Sequence, residues 1–368
     1  MKKTNLIVKT DSHKYSIVIG DGLLNNISTE LKKKSLNFNK CLIIVDKKVP
    51  KKLVNQIYSS LKIKKKYIHL FNSSEANKNQ ISINKILNIL LKKNFYRDDC
   101  IISVGGGITG DVTGYAASIF KRGIKFINIP TTLLAQVDSS IGGKTGINSN
   151  YGKNLIGSFY QPSLVISDIN FLKTLPRREI ICGYAEILKH SLILNKKFFN
   201  FLDKFGNKII SLNKINLKMA IYESCLIKKK IIQLDEKEKN LRKILNFGHT
   251  FAHAYEATMK YSNKLNHGEA VLLGIISAIK FAKINKILSI KEFDLIYNHF
   301  EKLNLPRKIN KFFIKKDINK ILSFMHKDKK NKNDKINLVL LKKIGKATYG
   351  QYVNEKKLYN FLKNELSN

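Results

Sequence analysis

The sequence predicts an α/β domain with a mostly parallel sheet, followed by a mainly α-helical domain, the boundary lying near residue 176. Three observations carry this expectation. Short apolar runs alternate with helix-period segments through the first half, a glycine-rich turn stands between a strand and a helix, and beyond Leu175-Pro176 the apolar period stays near 3.6.

Tyr15–Ile19, Cys41–Val45, Tyr67–Phe71, Cys100–Val104 and Phe126–Ile129 are short, apolar and β-branched, as buried strands are. Between them Lys47–Leu61 and Ile81–Leu91 carry apolar residues at helical spacing; in the second, Ile83, Ile86, Leu87, Leu90 and Leu91 share one face. Parallel neighbours need such crossover helices. After the glycine turn, Val112–Phe120 reads as a helix. Past Pro176 come four further helical stretches, Glu179–Leu194, Ile215–Leu234, Gly248–Met259 and Gly268–Asn285, and only Leu338–Leu341 reads as a strand. No repeat or low-complexity linker separates residues 1–176 from 177–368, which points to a large interface and a cleft between two domains.

Composition excludes several classes. Of 368 residues, 43% are hydrophobic and 26% charged, enough for a packed core, and no apolar run approaches the ~20 residues of a membrane helix. Leu6–Val8 is too short for a signal peptide, so a cytoplasmic protein is expected. The net charge of +40 invites a nucleic-acid reading, yet only six of the 67 basic residues are arginines, the side chain that pairs bidentately with bases. The lysines are spread along the chain beside Asn and Ile, a pattern of compositional drift on the surface, so no nucleic-acid partner and no membrane are expected. Cys41, Cys100, Cys182 and Cys225 form no C-x-x-C pair, which removes zinc knuckles and dithiol motifs.

Gly105, Gly107 and Gly110 satisfy G-x-G-x-x-G in strand–turn–helix context, where backbone amides meet a pyrophosphate. The ribose-binding acid ~20 residues downstream is missing; Asp46, at the end of Cys41–Val45, is the substitute. Gly142-Gly143-Lys144-Thr145 imitates a P-loop, but Asp138 stands where the pattern requires its first glycine. The segment Pro130–Ser140 is dense in short polar residues, which are costly to bury unless they line a site.

A second constellation is metal-like. His249 and His253 share one helix face at i, i+4, His267 opens another helix, and Glu186 lies on a third. Imidazoles plus one carboxylate suit a divalent ion with an open position. Spacing alone leaves the ligands open among Glu186, His249, His253, Glu256, His267 and Glu269.

Taken together, the blocks Gly105-Gly106-Gly107-x-x-Gly110-Asp111, Pro130–Lys144, Leu175–Lys189, Arg242-x-x-Leu245-Asn246-Phe247-Gly248-His249-Thr250-x-x-His253 and His267-Gly268-Glu269 closely resemble the 3-dehydroquinate synthase family, nearly end to end. The resemblance implies a Rossmann-like NAD-binding domain, a helical metal- and substrate-binding domain, NAD and a divalent ion (Zn or Co) as cofactors, and a homodimer. It implies conversion of the sugar acid phosphate DAHP to 3-dehydroquinate and phosphate: a ring carbinol is oxidised by NAD⁺, phosphate leaves by β-elimination, the hydride is returned, and the opened ring closes as a carbocycle.

Carried over residue by residue, the resemblance makes Glu186, His249 and His267 the metal ligands and leaves His253, with Lys144, Arg242 and Asn246, to catalysis. NAD contacts fall on Asp46, Ser73, Ser74, Glu75, Ala76, Asn77, Lys78, Gly107, Ile108, Thr109, Gly110, Asp111, Thr131, Thr132, Lys144, Lys153, Phe171, Leu172, Lys173 and Thr174. Substrate contacts fall on Arg122, Asp138, Asn154, Lys189, Lys228, Arg242, Asn246 and a lysine of Asp328-Lys329-Lys330, either Lys329 or Lys330. One block departs: where the family has Asp-Gly-Glu-x-x-Lys near the nucleotide, this chain has Ser73, Ser74, Glu75, Ala76, Asn77 and Lys78. A serine in the glycine's place is expected to be strained if the backbone there is left-handed, by about 1 kcal/mol. The rival activities are a metal-dependent polyol dehydrogenase on the same plan, which would release NADH, and a cyclase acting on another heptulose phosphate.

Overall fold

The computed structural model describes residues 3–327 and 335–367. Two compact units emerge: one joins the chain up to Pro176 with Leu217–Lys237, the other joins Arg177–Asn216 with the chain from Glu238 onward. The sequence reading put everything after residue 176 in the second domain, and the return of Leu217–Lys237 to the first corrects it. Periodicity reveals a helix and its apolar face, not the unit against which that face is buried.

The first unit contains β1 (Thr4–Lys9), β2 (Lys14–Gly20), α1 (Ile27–Lys33), β3 (Lys40–Asp46), α2 (Lys51–Ser60), β4 (Lys65–Phe71), α3 (Gln80–Lys92), β5 (Cys100–Gly105), α4 (Gly107–Ile119), β6 (Lys125–Pro130), β7 (Lys144–Ser149), β8 (Gly152–Phe159) and β9 (Leu164–Asp168). Seven strands form one sheet in the order β1-β2-β9-β6-β5-β3-β4. All its pairs are parallel except β1 with β2. Alternate residues of β3 and β5 point to opposite faces. Ile43, Val45, Ile102 and Val104 join a core with Ile27 and Leu31 of α1 and Ile57 of α2, while Leu42, Ile44 and Ile101 pack on Ile83 and Ile86 of α3 and Val112 and Ala116 of α4. This is the predicted α/β layer order.

Register then sets the site. Val45 lies beside Val104, and Gly105 beside Pro130, so Asp46, the glycine turn and Thr131 emerge together at the carboxyl edge of the sheet. Ligands of open α/β sheets bind at that edge. The helix expected from Val112 begins at Gly107, because the glycine turn itself forms its first turn. The helix expected from Lys47 begins at Lys51, with Pro50 as its extended entry residue. Strands β1, β7, β8 and β9 lack a sequence prediction; β8, with exposed residues through its middle, has little apolar pattern to read.

The second unit is built from α5 (Arg177–Leu194), α6 (Lys196–Ile210), the start of α7 (Lys214–Leu234), α8 (His249–Thr258), α9 (His267–Ile284), α10 (Ile290–Lys302), α11 (Ile318–His326), a β10–β11 hairpin (Lys335–Lys343, Lys346–Asn354) and α12 (Glu355–Glu365). Helix α9 is buried almost all round from Ala270 to Ala282, which makes it the centre of this unit. No helix among the described residues is long and apolar enough to cross a membrane.

Candidate active site

Close backbone packing brings the metal-type residues together. A Cβ on Gly268 would lie 2.2 Å from Cys182 Cα, and one on Gly274 would lie 2.1 Å from the Gly248 carbonyl oxygen. Gly248 itself sits at φ 78°, a left-handed turn that only glycine adopts without cost and that starts α8 against α9. Helix α9 therefore touches the backbones of α5 and α8, and the first residues of α8 and α9 meet the middle of α5. Sequence reasoning missed the packing role of these glycines; the only signal is that Gly248 and Gly268 adjoin His249 and His267, and Gly274 has none.

The outcome is a convergent donor set. One ligand-type atom from each of Glu186, His249 and His267 lies within 4.8 Å of the other two. His249 Nε2 is 3.5 Å and His267 Nε2 3.9 Å from Glu186 Oε1. Both rings are oriented from behind: His249 Nδ1 is 3.3 Å from the Phe247 carbonyl, and His267 Nδ1 is 3.2 Å from Glu256 Oε2. Glu186 is fully buried and neither of its oxygens accepts a hydrogen bond, although the Lys189 ammonium stands against Oε2 as an ion partner.

Burial, with Lys189 and the neighbouring histidines, holds His249 well below its ordinary pKa and therefore neutral. Burial also opposes the charge on His267, but Glu256 and Glu186 outweigh it and lift that imidazole to about 9. A divalent ion fits this set: it neutralises a buried carboxylate and meets two Nε2 atoms whose Nδ1 atoms are already engaged, as in carboxylate–histidine–metal arrangements. Of the other candidates, Glu256 stands behind His267. Glu269 is committed to Arg178, at 2.8 and 2.6 Å, and to the N-cap at Asn266. His253 is exposed, its ring edge-on to His249 at 5.3 Å between centroids.

Around the glycine turn, a Cβ on Gly105 would meet Thr109 Oγ1 at 2.5 Å and one on Gly107 would meet Ser139 Oγ at 3.0 Å. These glycines serve close packing rather than positive φ. Asp46 accepts from the Lys48 N–H at 3.0 Å, and burial pushes its carboxyl up against the opposing pull of Lys48 and the Ser73 hydroxyl. Lys78 pairs with Asp111 at 2.5 Å and also donates to Asn154, and Lys153 pairs with Glu75 at 3.0 Å. Lys228 donates to both the carboxylate (2.6 Å) and the carbonyl (2.7 Å) of Asp138.

Ser74 corrects the expectation of strain. Its backbone is extended, at φ −150° and ψ 159°, and its hydroxyl accepts from the Asn77 N–H at 3.3 Å. It is an N-cap, a role serine fills well.

Other assignments scatter. Arg122 is exposed at the far end of α4, about 20 Å along the helix from Gly107 at 1.5 Å per residue. The side chains of Phe171 and Leu172 are buried in the core, so only their backbone is available to a cofactor, whereas Lys173, Thr174 and Lys144 are exposed. Thr131 is buried and Thr132 partly so. Arg242 is buried, and Asn246 donates to Glu238 at 2.7 Å. Lys330, with Asp328 and Lys329, lies outside the described residues.

The 3-dehydroquinate synthase N-terminal family pattern matches residues 68–182, and the 3-dehydroquinate synthase C-terminal pattern matches residues 183–331. The 3-dehydroquinate synthase of Pelagibacter ubique (strain HTCC1062) is 62% identical over 362 residues, 98% of each chain, and that of Bartonella quintana (strain Toulouse) is 37% identical over 377, 100% of this chain and 99% of that one. Among solved structures, a 2-deoxy-scyllo-inosose synthase complexed with carbaglucose-6-phosphate, NAD+ and Co2+ superposes with a TM-score of 0.84 at 26% identity, covering 98% of this chain and 99% of that one. The 2-epi-5-epi-valiolone synthase of Streptomyces hygroscopicus subsp. jinggangensis 5008, with NAD+ and Zn2+ bound, shares the fold with a TM-score of 0.85 at 23% identity and the same coverage. With both halves matched and a 62% identical relative spanning its length, the chain belongs to the 3-dehydroquinate synthase family.

Proposed function

We propose that this protein converts DAHP to 3-dehydroquinate and phosphate, with NAD regenerated in each turnover and Zn²⁺ or Co²⁺ held by Glu186, His249 and His267. The observation that carries the reading is the 62% identity to a 3-dehydroquinate synthase sustained along 98% of both chains. When bound, the nicotinamide accepts and returns a hydride, and the divalent ion polarises substrate oxygens.

The chain's own residues supply the rest. Amides at the N-terminus of α4 offer the pyrophosphate its donors, and Asp46 an acceptor for a ribose hydroxyl. Glu256 keeps His267 in the tautomer that presents Nε2. Lys189, Lys228 and Arg242 are buried cations suited to an anionic substrate carrying a phosphate and a carboxylate, and Arg242 can pair bidentately. Asp138 holds the Lys228 ammonium by two oxygens and so fixes where that charge stands. His253, exposed beside His249, is placed to carry a proton without being a ligand.

Two expectations follow for single residues. His253→Ala should retain stoichiometric metal yet lose rate by about 10²–10⁴-fold, the usual worth of a proton-transfer group; metal analysis beside steady-state kinetics checks it. Ser74→Gly should leave NAD affinity unchanged or lower it, because the serine is a cap and its loss to glycine costs only a few tenths of a kcal/mol. A calorimetric titration showing a large gain in affinity would mean the serine is strained after all.

The activity itself is tested with DAHP in excess over NAD⁺. Phosphate should keep accumulating while the NADH absorbance stays at baseline; one NADH formed per substrate would instead mark a polyol dehydrogenase. The proposal extends to a cytoplasmic homodimer without a nucleic-acid partner, for which light scattering should give twice the 42.1 kDa of one chain.

A further inference from the structure

Helix α5 carries Glu186 on one face, and a buried polar chain grips it on another. Tyr184 is fully buried, and its hydroxyl stands 2.9 Å from Nε2 of His299 on α10, itself fully buried. The other ring nitrogen, Nδ1, is 3.1 Å from Oδ1 of Asp203 on α6, and Asp203 reaches the surface. Lys302, one turn beyond His299, donates to the Asp203 carbonyl at 2.6 Å and faces its Oδ2 at 3.6 Å. Gly206 lets α6 press on this chain: a Cβ there would lie 2.9 Å from the Tyr184 hydroxyl. With Nδ1–H donating to the carboxylate, Nε2 is free to accept the tyrosine O–H, so a neutral histidine satisfies every buried polar atom of the chain.

We propose that Tyr184, His299 and Asp203 form a positioning relay that fixes the roll of α5 and thereby places the Glu186 carboxylate among its ligand partners. The inference rests on Glu186 being a metal ligand. Tyr184 and Glu186 are two residues apart, about 200° around the helix axis at 3.6 residues per turn, so the relay holds the side of α5 turned away from the ligand. At a helix radius of about 5–6 Å including side chains, a 10° roll displaces a side-chain end by about 1 Å. An apolar contact alone restrains such a roll weakly, since dispersion is non-directional; the tyrosine–imidazole bond restrains it because it weakens steeply with angle. The sequence held no sign of this: His299 lies in no motif, and its partners come from two other helices.

The test is titration of the metal-stripped protein with Co²⁺ alone, read from its visible absorption, beside steady-state kinetics of the loaded enzyme. Tyr184→Phe, which removes one oxygen and keeps the ring, should weaken Co²⁺ binding about tenfold, as loss of an outer partner of a ligand does, and alter the absorption spectrum. It should lower kcat with KM for DAHP nearly unchanged. Asp203→Leu, made at the exposed end, should reproduce the loss, while Asp203→Asn, which keeps an acceptor oxygen, should restore wild-type binding. Wild-type affinity and spectrum in both Tyr184→Phe and Asp203→Leu would overturn the relay, even if both variants melt earlier. Glu186→Gln is the control: if it loses Co²⁺ while the relay variants keep it, the ligand assignment stands and the relay falls. If Glu186→Gln binds Co²⁺ as wild type does, both fall.

Discussion

His267→Ala should leave the protein folded, strip its divalent ion and lower DAHP turnover by about a thousandfold or more. The residue begins α9 at a partly exposed position, so its side chain contributes little to the core. Its Nε2 is one of the three convergent donors, and a two-donor remnant holds an ion poorly. Losing several kcal/mol of charge stabilisation converts to that rate at 1.36 kcal/mol per decade. Elemental analysis, circular dichroism and phosphate release together decide the matter. Stoichiometric metal in His267→Ala would remove this residue from the ligand set.

Gly268→Ala, one position on, should do comparable damage by a different route. The new methyl would occupy a point 2.2 Å from Cys182 Cα and 2.7 Å from its Sγ. A flexible side chain could swing aside, but the nearest obstacle is backbone of α5. The helices must separate, at a cost of about 3 kcal/mol in overpacking, and the separation carries His267 away from Glu186. The expected readout is a melting temperature lower by several degrees, since about 1 kcal/mol shifts it by 2–4 °C at 150–250 residues per domain, together with loss of bound metal. An unchanged melting temperature with full metal would show that α5 and α9 are not packed as described.

The contrast between these neighbours shows what sequence reasoning reached. Residue chemistry named six metal candidates, and the resemblance chose Glu186, His249 and His267 among them; the same three are those whose donor atoms lie together. What the sequence did not disclose is why they meet. Gly248, Gly268 and Gly274 act through distances between helices remote in sequence, and a glycine's close approach leaves no periodic trace. Ser74 failed the other way: the departure from the family block was legible, its consequence was not, because φ is a property of the folded loop. The parallel strands β3 and β5 were readable since they are buried and largely apolar along their length, whereas β9, also parallel and buried, was missed. β8, largely exposed, and β11, half-exposed and interrupted by Gly350, were not readable.

On the proposed ligand set, the full burial of Glu186 would tie the lifetime of the polypeptide to the supply of trace metal. An ion that binds only the folded form stabilises it by RT ln(1 + [L]/Kd), about 2.7 kcal/mol when free metal stands a hundredfold above Kd. When the ion is scarce, that increment vanishes, and a lone buried carboxylate is left with the neighbouring ammonium of Lys189. Opening becomes about a hundredfold more frequent, and proteases that act on opened chains sample it accordingly. Metal starvation would thus thin the enzyme's population by turnover of the chain as well as silence its individual molecules.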